Sequence, residues 1–342
     1  MNGVMENKTA LASTVCMTYN QAPYIKQCLD GFVMQQTKFP FVAIVVDDAS
    51  TDNEPQVLWD FVNDELNLSQ SQKEETDDYI RIVAKHKRNP NCLFVVLFLK
   101  YNHYSIQKSK YPYYKVWRET TKYYSICEGD DYWTDPLKLQ KQVDYLEGHP
   151  ECGLVYTNAM VFNQNKGILT KTTLPLQANF ETLLFSSPIM TLTTCYRADI
   201  AYKYSLDIPK DETWQMGDLP LWLYIAAKSS IKYLSEITAI YRVLTNSVSH
   251  KNSFQQSIDF SLNSFDIRLF FAKKYNREKL IPKMAKAQIN ELFQIAISYN
   301  KNISFQIMKF ALKYKVFDIK TWGKIIIFAT KSGRNYHIRK YA

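Results

Sequence analysis

The chain has 342 residues, 46% of them hydrophobic, with 9 Gly and 12 Pro, which allows a large core and excludes a low-complexity or collagen-like chain. Its net charge of +9 is unevenly placed. From Lys251 onward 18 Lys and Arg face 5 Asp and Glu, a net of +13, whereas the first 250 residues carry 24 against 28, a net of −4. A nearly neutral body joined to a basic tail points to two tasks and argues against nucleic acid as the partner of the whole chain.

The N-terminal MNGVMENKTALASTVC lacks a basic segment followed by an apolar one. The longest apolar runs, FVAIVV, CLFVVLFL and IIIFA, fall far short of the ~20 residues of a spanning helix. The cysteines at 16, 28, 92, 127, 152 and 195 are scattered, with no CxxC pair. Buried free thiols in a reducing compartment follow, and the expected location is the cytoplasm.

In chain order, STVCMTYN reads as a strand and APYIKQCLDGFVMQQ as a helix with Ile25, Cys28, Leu29, Phe32 and Val33 on one face. FVAIVVDDAS is a second strand, so continuously apolar that it suits a parallel sheet covered on both faces. NEPQVLWDFVNDEL predicts a helix, and NLSQSQKEETDD an exposed excursion without periodicity. CLFVVLFL and YYSICEG are further strands. PLKLQKQVDYLEG is a helix opening at Pro136 and ending near Gly148, and GLVYTNAMVFN is a fifth strand. This alternation predicts a doubly wound, mostly parallel α/β sheet with right-handed crossovers. Beyond residue 160, TLTTCYR and IKYLSEITAIYRV read as strands flanking the helix PLWLYIAAK. From about Asn252 the pattern is helical, aromatic and basic, and a domain boundary is placed near 250, giving regions 1–250 and 251–342.

Ligands of such sheets bind outside the carboxyl ends of the strands. Three polar clusters sit at such ends: TYN after the first strand, DDAS after the second, EGDD after the fourth. In ICEGDDYWTDP the acids Glu128, Asp130 and Asp131 repel one another unless a cation lies between them. Mg²⁺ or Mn²⁺, held by carboxylates and substrate phosphates, is the usual answer. If the segment is extended, alternate residues face one way, so Glu128 and Asp130 share a site and Asp131 begins the next turn. A solvated turn with helix-capping acids is the competing reading. At Asp47 and Asp48 a carboxylate can accept from a nucleobase or a ribose, or cap the next helix. Tyr19 can stack on a base while Thr18 and Asn20 supply hydrogen bonds, unless the segment is an ordinary strand-to-helix turn. Neither cluster has the glycines of a phosphate-binding loop, so phosphate would need a metal.

In order and spacing, STVCMTYNQAPYIKQCLDGFVMQ, VAIVVDDASTD, YYSICEGDDYWTDPLKLQKQVDYLEGHP and WQMGDLPLWLYIAAKSSIKYLSEITAIYR resemble the family 2 glycosyltransferases, an inverting group with the GT-A fold. The resemblance spans roughly residues 10 to 250. It implies a nucleoside-diphosphate sugar donor, UDP-linked, bound by Thr18, Tyr19, Asn20 and Asp48. It implies a metal-binding DxD element at Glu128-Gly129-Asp130, with Asp131 beside the sugar or the metal. Glu128 departs from the usual Asp, which leaves Asp130 the stronger ligand. The implied general base is Asp218, with Asp211 and Glu212 behind it, unless Asp218 serves as a helix cap. His250 follows the last strand and is either a further metal and pyrophosphate contact or structural. Trp133, Trp214 and Trp222 shape an acceptor pocket or fill the core.

The basic tail lies outside the resemblance. It is either an interfacial segment that meets anionic lipid, peripheral on the inner face of the membrane, or a helical subdomain packed on the core with its lysines in water. The expected activity is metal-dependent, inverting transfer of a sugar to a hydroxyl of a glycan or lipid-linked acceptor, in surface polysaccharide assembly. A sugar-1-phosphate nucleotidyltransferase and a non-catalytic nucleotide-sugar-binding protein are the alternatives.

Overall fold

The computed structural model describes residues 10–172, 177–209, 213–244 and 253–330. Strand β1 (Ala12–Thr18) leads into α1 (Ile25–Val33), and β2 (Phe41–Asp47) into α2 (Glu54–Glu65). β3 (Gln72–Glu75), β4 (Tyr79–Lys85), β5 (Cys92–Leu99), α3 (Lys115–Glu119), β6 (Tyr123–Ile126), β7 (Tyr132–Trp133) and α4 (Lys138–Gly148) follow. Then come β8 (Cys152–Asn163), β9 (Ile168–Lys171), α5 (Phe180–Leu183), β10 (Thr194–Arg197), α6 (Ala198–Asp207), α7 (Asp218–Lys228) and β11 (Ser230–Val243). The last helices are α8 (Phe254–Lys274), α9 (Ile281–Ser298), α10 (Ser304–Lys313) and α11 (Ile319–Ala329).

The strands form one mixed sheet in the order β3-β4-β5-β2-β1-β6-β10-β8-β11-β7, with β9 paired to β8. β5, β2, β1 and β6 run parallel and make its centre. On the flanks β3 on β4, β4 on β5, and β10 between β6 and β8 are antiparallel, while β8 and β11 run parallel. The sheet is mixed around the parallel centre that the sequence predicts. The expected excursion before residue 79 contains the exposed strand β3, paired to β4, a strand whose mixed pattern YIRIVAK gives no clear period.

β2 shows why its run is continuously apolar. Phe41, Ala43 and Val45 join the core that α1, α2 and α4 complete, while Val42, Ile44 and Val46 join a second core beneath Tyr114. Both faces are covered, so neither set of alternating side chains meets water. α1 buries Ile25, Cys28, Leu29 and Phe32, four of the five residues of its predicted face. At Gly31 this helix meets β7 so closely that a Cβ would lie 2.9 Å from the Trp133 nitrogen. All six cysteines are free and buried. Cys28 Sγ lies 3.8 Å from Cys16 Sγ and 3.9 Å from Cys127 Sγ.

The chain divides into two compact units. The first holds the whole sheet. The second gathers Asn179–Ser187, Ile208–Ala227 and the helices beyond Leu244, so two segments upstream of residue 250 fold with the basic tail. Within the second unit Phe265 of α8 packs edge-on against Phe310 and Tyr314, and Phe293 of α9 against Phe328. Buried Arg268 donates to Leu183 O, Ser264 Oγ and Ser187 Oγ. Among the described residues no helix is long and apolar enough to cross a membrane.

Candidate functional site

β1 lies between β2 and β6, all three parallel, so the loops after them open along one edge of the sheet. The loop after β6 continues against β1: Cys127 N donates to Val15 O at 3.1 Å and Gly129 N to Met17 O at 3.2 Å. It then turns, with Asp131 N donating to Glu128 O at 3.0 Å. The acidic element is thus a turn and not the extended segment expected. Its centre must be glycine, because a Cβ on Gly129 would overlap Gln21 and the Thr18 hydroxyl and lie 2.7 Å from Thr18 Cβ.

The turn brings all three acids together. One carboxylate oxygen from each of Glu128, Asp130 and Asp131 lies within 4.8 Å of the others. Glu128 is exposed, Asp130 half-buried and Asp131 only 3% exposed. Burial pushes the Asp130 carboxyl up, opposed by Arg242 and the Gln21 side chain. Burial, then the neighbouring Asp130 and Glu128 charges, pushes Asp131 well above the ordinary carboxylate range. Ionising this trio is costly without added positive charge. The donor set is all hard oxygen and fits Mg²⁺ or Mn²⁺, whose ligand sphere is ~4.2 Å across at ~2.1 Å per bond.

The cation that the protein itself supplies is Arg242 of β11, 4% exposed. Its main-chain N–H donates to Asp131 Oδ1 at 2.7 Å, and its Nε donates to Asp130 O at 2.8 Å. The remaining guanidinium nitrogens donate to Gln164 Oε1 at 2.6 Å and Gln27 Oε1 at 2.5 Å. The Tyr24 ring lies 4.7 Å from its charge centre and the Tyr132 ring 5.3 Å. The motifs do not single out this residue. A signal was present, because an arginine in the apolar strand IYRV has to find partners when buried.

The first two loops are tied by a polar network that the motifs also understate. Its hub is Glu54, fully buried at the start of α2. The Thr18 hydroxyl bonds to Glu54 Oε1 and to Gln21 Oε1, while Gln21 N and Ser50 Oγ each donate to Glu54 Oε2 at 2.8 Å. Burial raises the Glu54 carboxyl, and these bonds oppose the rise. Asn20 sits at φ +56°, a left-handed conformation that asparagine tolerates. Its Oδ1 accepts from Thr51 N at 2.7 Å and Asp52 N at 3.2 Å. Asp47 Oδ1 accepts from Ser50 N at 3.0 Å.

The residues expected at the donor are also bonded within the protein. Thr18 is buried and its hydroxyl is engaged with Glu54, and the Asn20 side chain is engaged with the neighbouring loop. Asp48 is buried as well. His103 N and Tyr104 N donate to its carboxylate at 2.8 and 3.1 Å, and Lys110 Nζ lies 2.9 Å away. Asn20 and Asp48 serve loop amides that need acceptors, whereas the Thr18 hydroxyl donates to the buried Glu54 carboxyl. Tyr19, 44% exposed, is left presenting an open aromatic face.

Asp218 is the first residue of α7, in the second unit, with its Oδ1 accepting from Leu219 N at 2.7 Å. His250, Asp211 and Glu212 lie outside the described residues. Trp133 is buried with Nε1 donating to Leu192 O at 2.9 Å, Trp222 is buried in α7, and Trp214 packs against Phe270.

Residues 13–89 match the Glycosyl transferase family 2 profile. The proteins Mb1547 of Mycobacterium bovis and Rv1520 of Mycobacterium tuberculosis are each 30% identical over 244 residues, covering 70% of this chain. The chain spans only 60% of the length of these curated relatives. Among solved structures, Staphylococcus aureus TarS 1-349 in complex with UDP-GlcNAc is similar at a TM-score of 0.49 and 12% identity, over 92% of this chain and 90% of that one. The mannosyltransferase PcManGT from Pyrobaculum calidifontis, in complex with GDP-Man and Mn²⁺, follows at 0.46 and 12%, over 98% and 88%.

Proposed function

For this chain, which carries a glycosyl transferase family 2 domain, we propose a metal-dependent transferase that moves a hexose from a nucleoside-diphosphate sugar to a hydroxyl, with inversion at the anomeric carbon. The donor is UDP-linked, and the acceptor is a glycan or lipid-linked sugar of a surface polysaccharide. The observation that carries the reading is the convergence of Glu128, Asp130 and Asp131 beside Gly129, backed by the guanidinium of Arg242.

Asp130 and Glu128 would hold Mn²⁺ or Mg²⁺, which supplies the charge that stabilises the departing diphosphate. Arg242 fixes the turn that carries them, through Asp130 O and Asp131 Oδ1. Tyr19 stacks on the base from its exposed position after β1. Asp218, on the family resemblance, accepts the proton of the attacking hydroxyl. Inversion follows from attack on the face opposite the leaving group.

A thermal-shift screen of nucleoside diphosphates, with and without Mn²⁺, tests the reading. UDP with Mn²⁺ should raise the melting temperature of the wild type and leave Asp130→Asn unmoved, since a ligand that binds only the native state stabilises it. Equal shifts in both proteins would overturn the metal-dependent assignment.

A further inference from the structure

We infer that α10 and α11 form a docking surface for anionic lipid bilayer. The carrying observation is a two-sided apolar pattern. α11 buries Thr321, Ile325 and Phe328. On the opposite side Ile319 and, about two turns on, Ile326 and Ile327 stand in solvent, with Ile319 88% exposed. A helix that only packed on its own domain would need one apolar stripe and would make the other polar. α10 repeats the pattern. Ile307 and Ala311 are buried, while Phe305 and Leu312, seven residues apart on one face, are exposed. Phe317, between the two helices, is 66% exposed.

Charge selects the occupant. Residues 301–330 contain six lysines, at 301, 309, 313, 315, 320 and 324, and one acid, Asp318. That acid is already engaged, capping α11 through Thr321 N and pairing with Lys286 at 3.0 Å. Lys309 lies 4.4 Å over the exposed Phe305 ring, so cationic and apolar groups alternate on the same surface. A protein partner would require a complementary acidic and apolar face. A second copy of this chain would set six lysines against six. A bilayer with anionic headgroups satisfies both halves at once: side chains enter the headgroup boundary while lysine ammonium groups remain at the phosphates. Neither helix spans the bilayer, so the association is peripheral.

The surface is independent of the transferase assignment, and so is its test. The full chain is mixed with vesicles of equal parts phosphatidylcholine and phosphatidylglycerol, or of phosphatidylcholine alone, and pelleted. Binding is expected to the first and not the second, and to fall with salt. Ile319→Ser combined with Ile326→Ser, at exposed positions, should keep the wild-type circular dichroism and melting temperature while weakening vesicle partition about tenfold. Lys309→Gln, Lys320→Gln and Lys324→Gln together should do likewise. Equal binding to both vesicle types, unchanged partition of either variant, or a dimer in light scattering that the isoleucine variant dissolves would overturn the proposal.

Discussion

The main-chain nitrogen of Arg242 lies 2.7 Å from Asp131 Oδ1, across 111 residues of sequence. Strand β11 thereby holds the acidic turn by its backbone, and by its guanidinium through Asp130 O. Arg242→Gln keeps the first contact and loses the second, along with the positive charge beside three carboxyls. It should cost about 3 kcal/mol in urea unfolding, because the buried carboxyls lose the guanidinium beside them. Arg242→Lys should recover less than half, since one ammonium cannot span Asp130 O, Gln164 and Gln27 together. Full recovery by lysine would mean that charge alone matters.

Gly129→Ala places a methyl against Thr18 and Gln21. The expected loss is about 1–3 kcal/mol of stability, with metal binding weakened as the turn shifts. Shortening the neighbour in Gly129→Ala with Gln21→Ala should restore part of the metal affinity, measured by manganese titration. A single mutant that binds manganese normally would show that the turn tolerates the displacement.

Glu54→Gln replaces an acceptor of several hydrogen bonds by an amide with a donor on one side. The amide nitrogen then faces Thr18, whose hydroxyl must turn to accept from it, and the bonds to a charged acceptor are lost. A cost of about 2 kcal/mol is expected, with amide exchange rising first in residues 18–22 and 50–54. Uniform change across the sheet would argue against a local tie.

Lys138 is fully buried, bonded to Gln142 Oε1 at 2.9 Å and 4.2 Å over the Trp133 ring. Burial lowers its pKa to about 8. The unfolded side chain titrates near ~10.4. Below pH 8 both states carry the proton, and the folded state bears the cost of a buried charge. Between about 8 and ~10.4 the unfolded state binds more protons, so stability contributed at this residue rises with pH. Lys138→Met should therefore stabilise the protein at pH 7, by up to about 2 kcal/mol after the Gln142 bond is lost, and the gain should shrink toward pH 10. Urea midpoints at the two pH values decide it, and a gain independent of pH would assign the effect to packing.

Asp218→Asn is expected to lower turnover about 10²–10⁴-fold while sparing the UDP-dependent thermal shift, if Asp218 is the base. Turnover near wild type would remove it from that role.

The parallel centre of the fold was legible because its strands are covered on both faces and so read as unbroken apolar runs, as at Phe41–Val46 and Cys92–Leu99. The helical stripe of α1 was equally plain. β4 was not, because Arg81 interrupts its pattern while its guanidinium donates to Tyr113 O and lies over the Trp117 ring, contacts set by distant loops. Within the candidate site the acids were visible as a motif, but their shape as a turn depends on room that only Gly129 provides. The partners of Glu54 and Arg242 were hidden for a simpler reason. A carboxylate after an asparagine and an arginine in a strand name no acceptor or donor until the loops are folded against one another.

The strand order begins at β3, whose residues Gln72, Lys73, Glu74 and Glu75 are all exposed, and ends at β7, which is two residues long. A sheet this wide offers unpaired amides and carbonyls at its borders, and such borders recruit foreign strands into fibres. Here the β3 border is lined with charge. That border is thus guarded against polymerising, a safeguard that replacing Lys73, Glu74 and Glu75 by valine would remove.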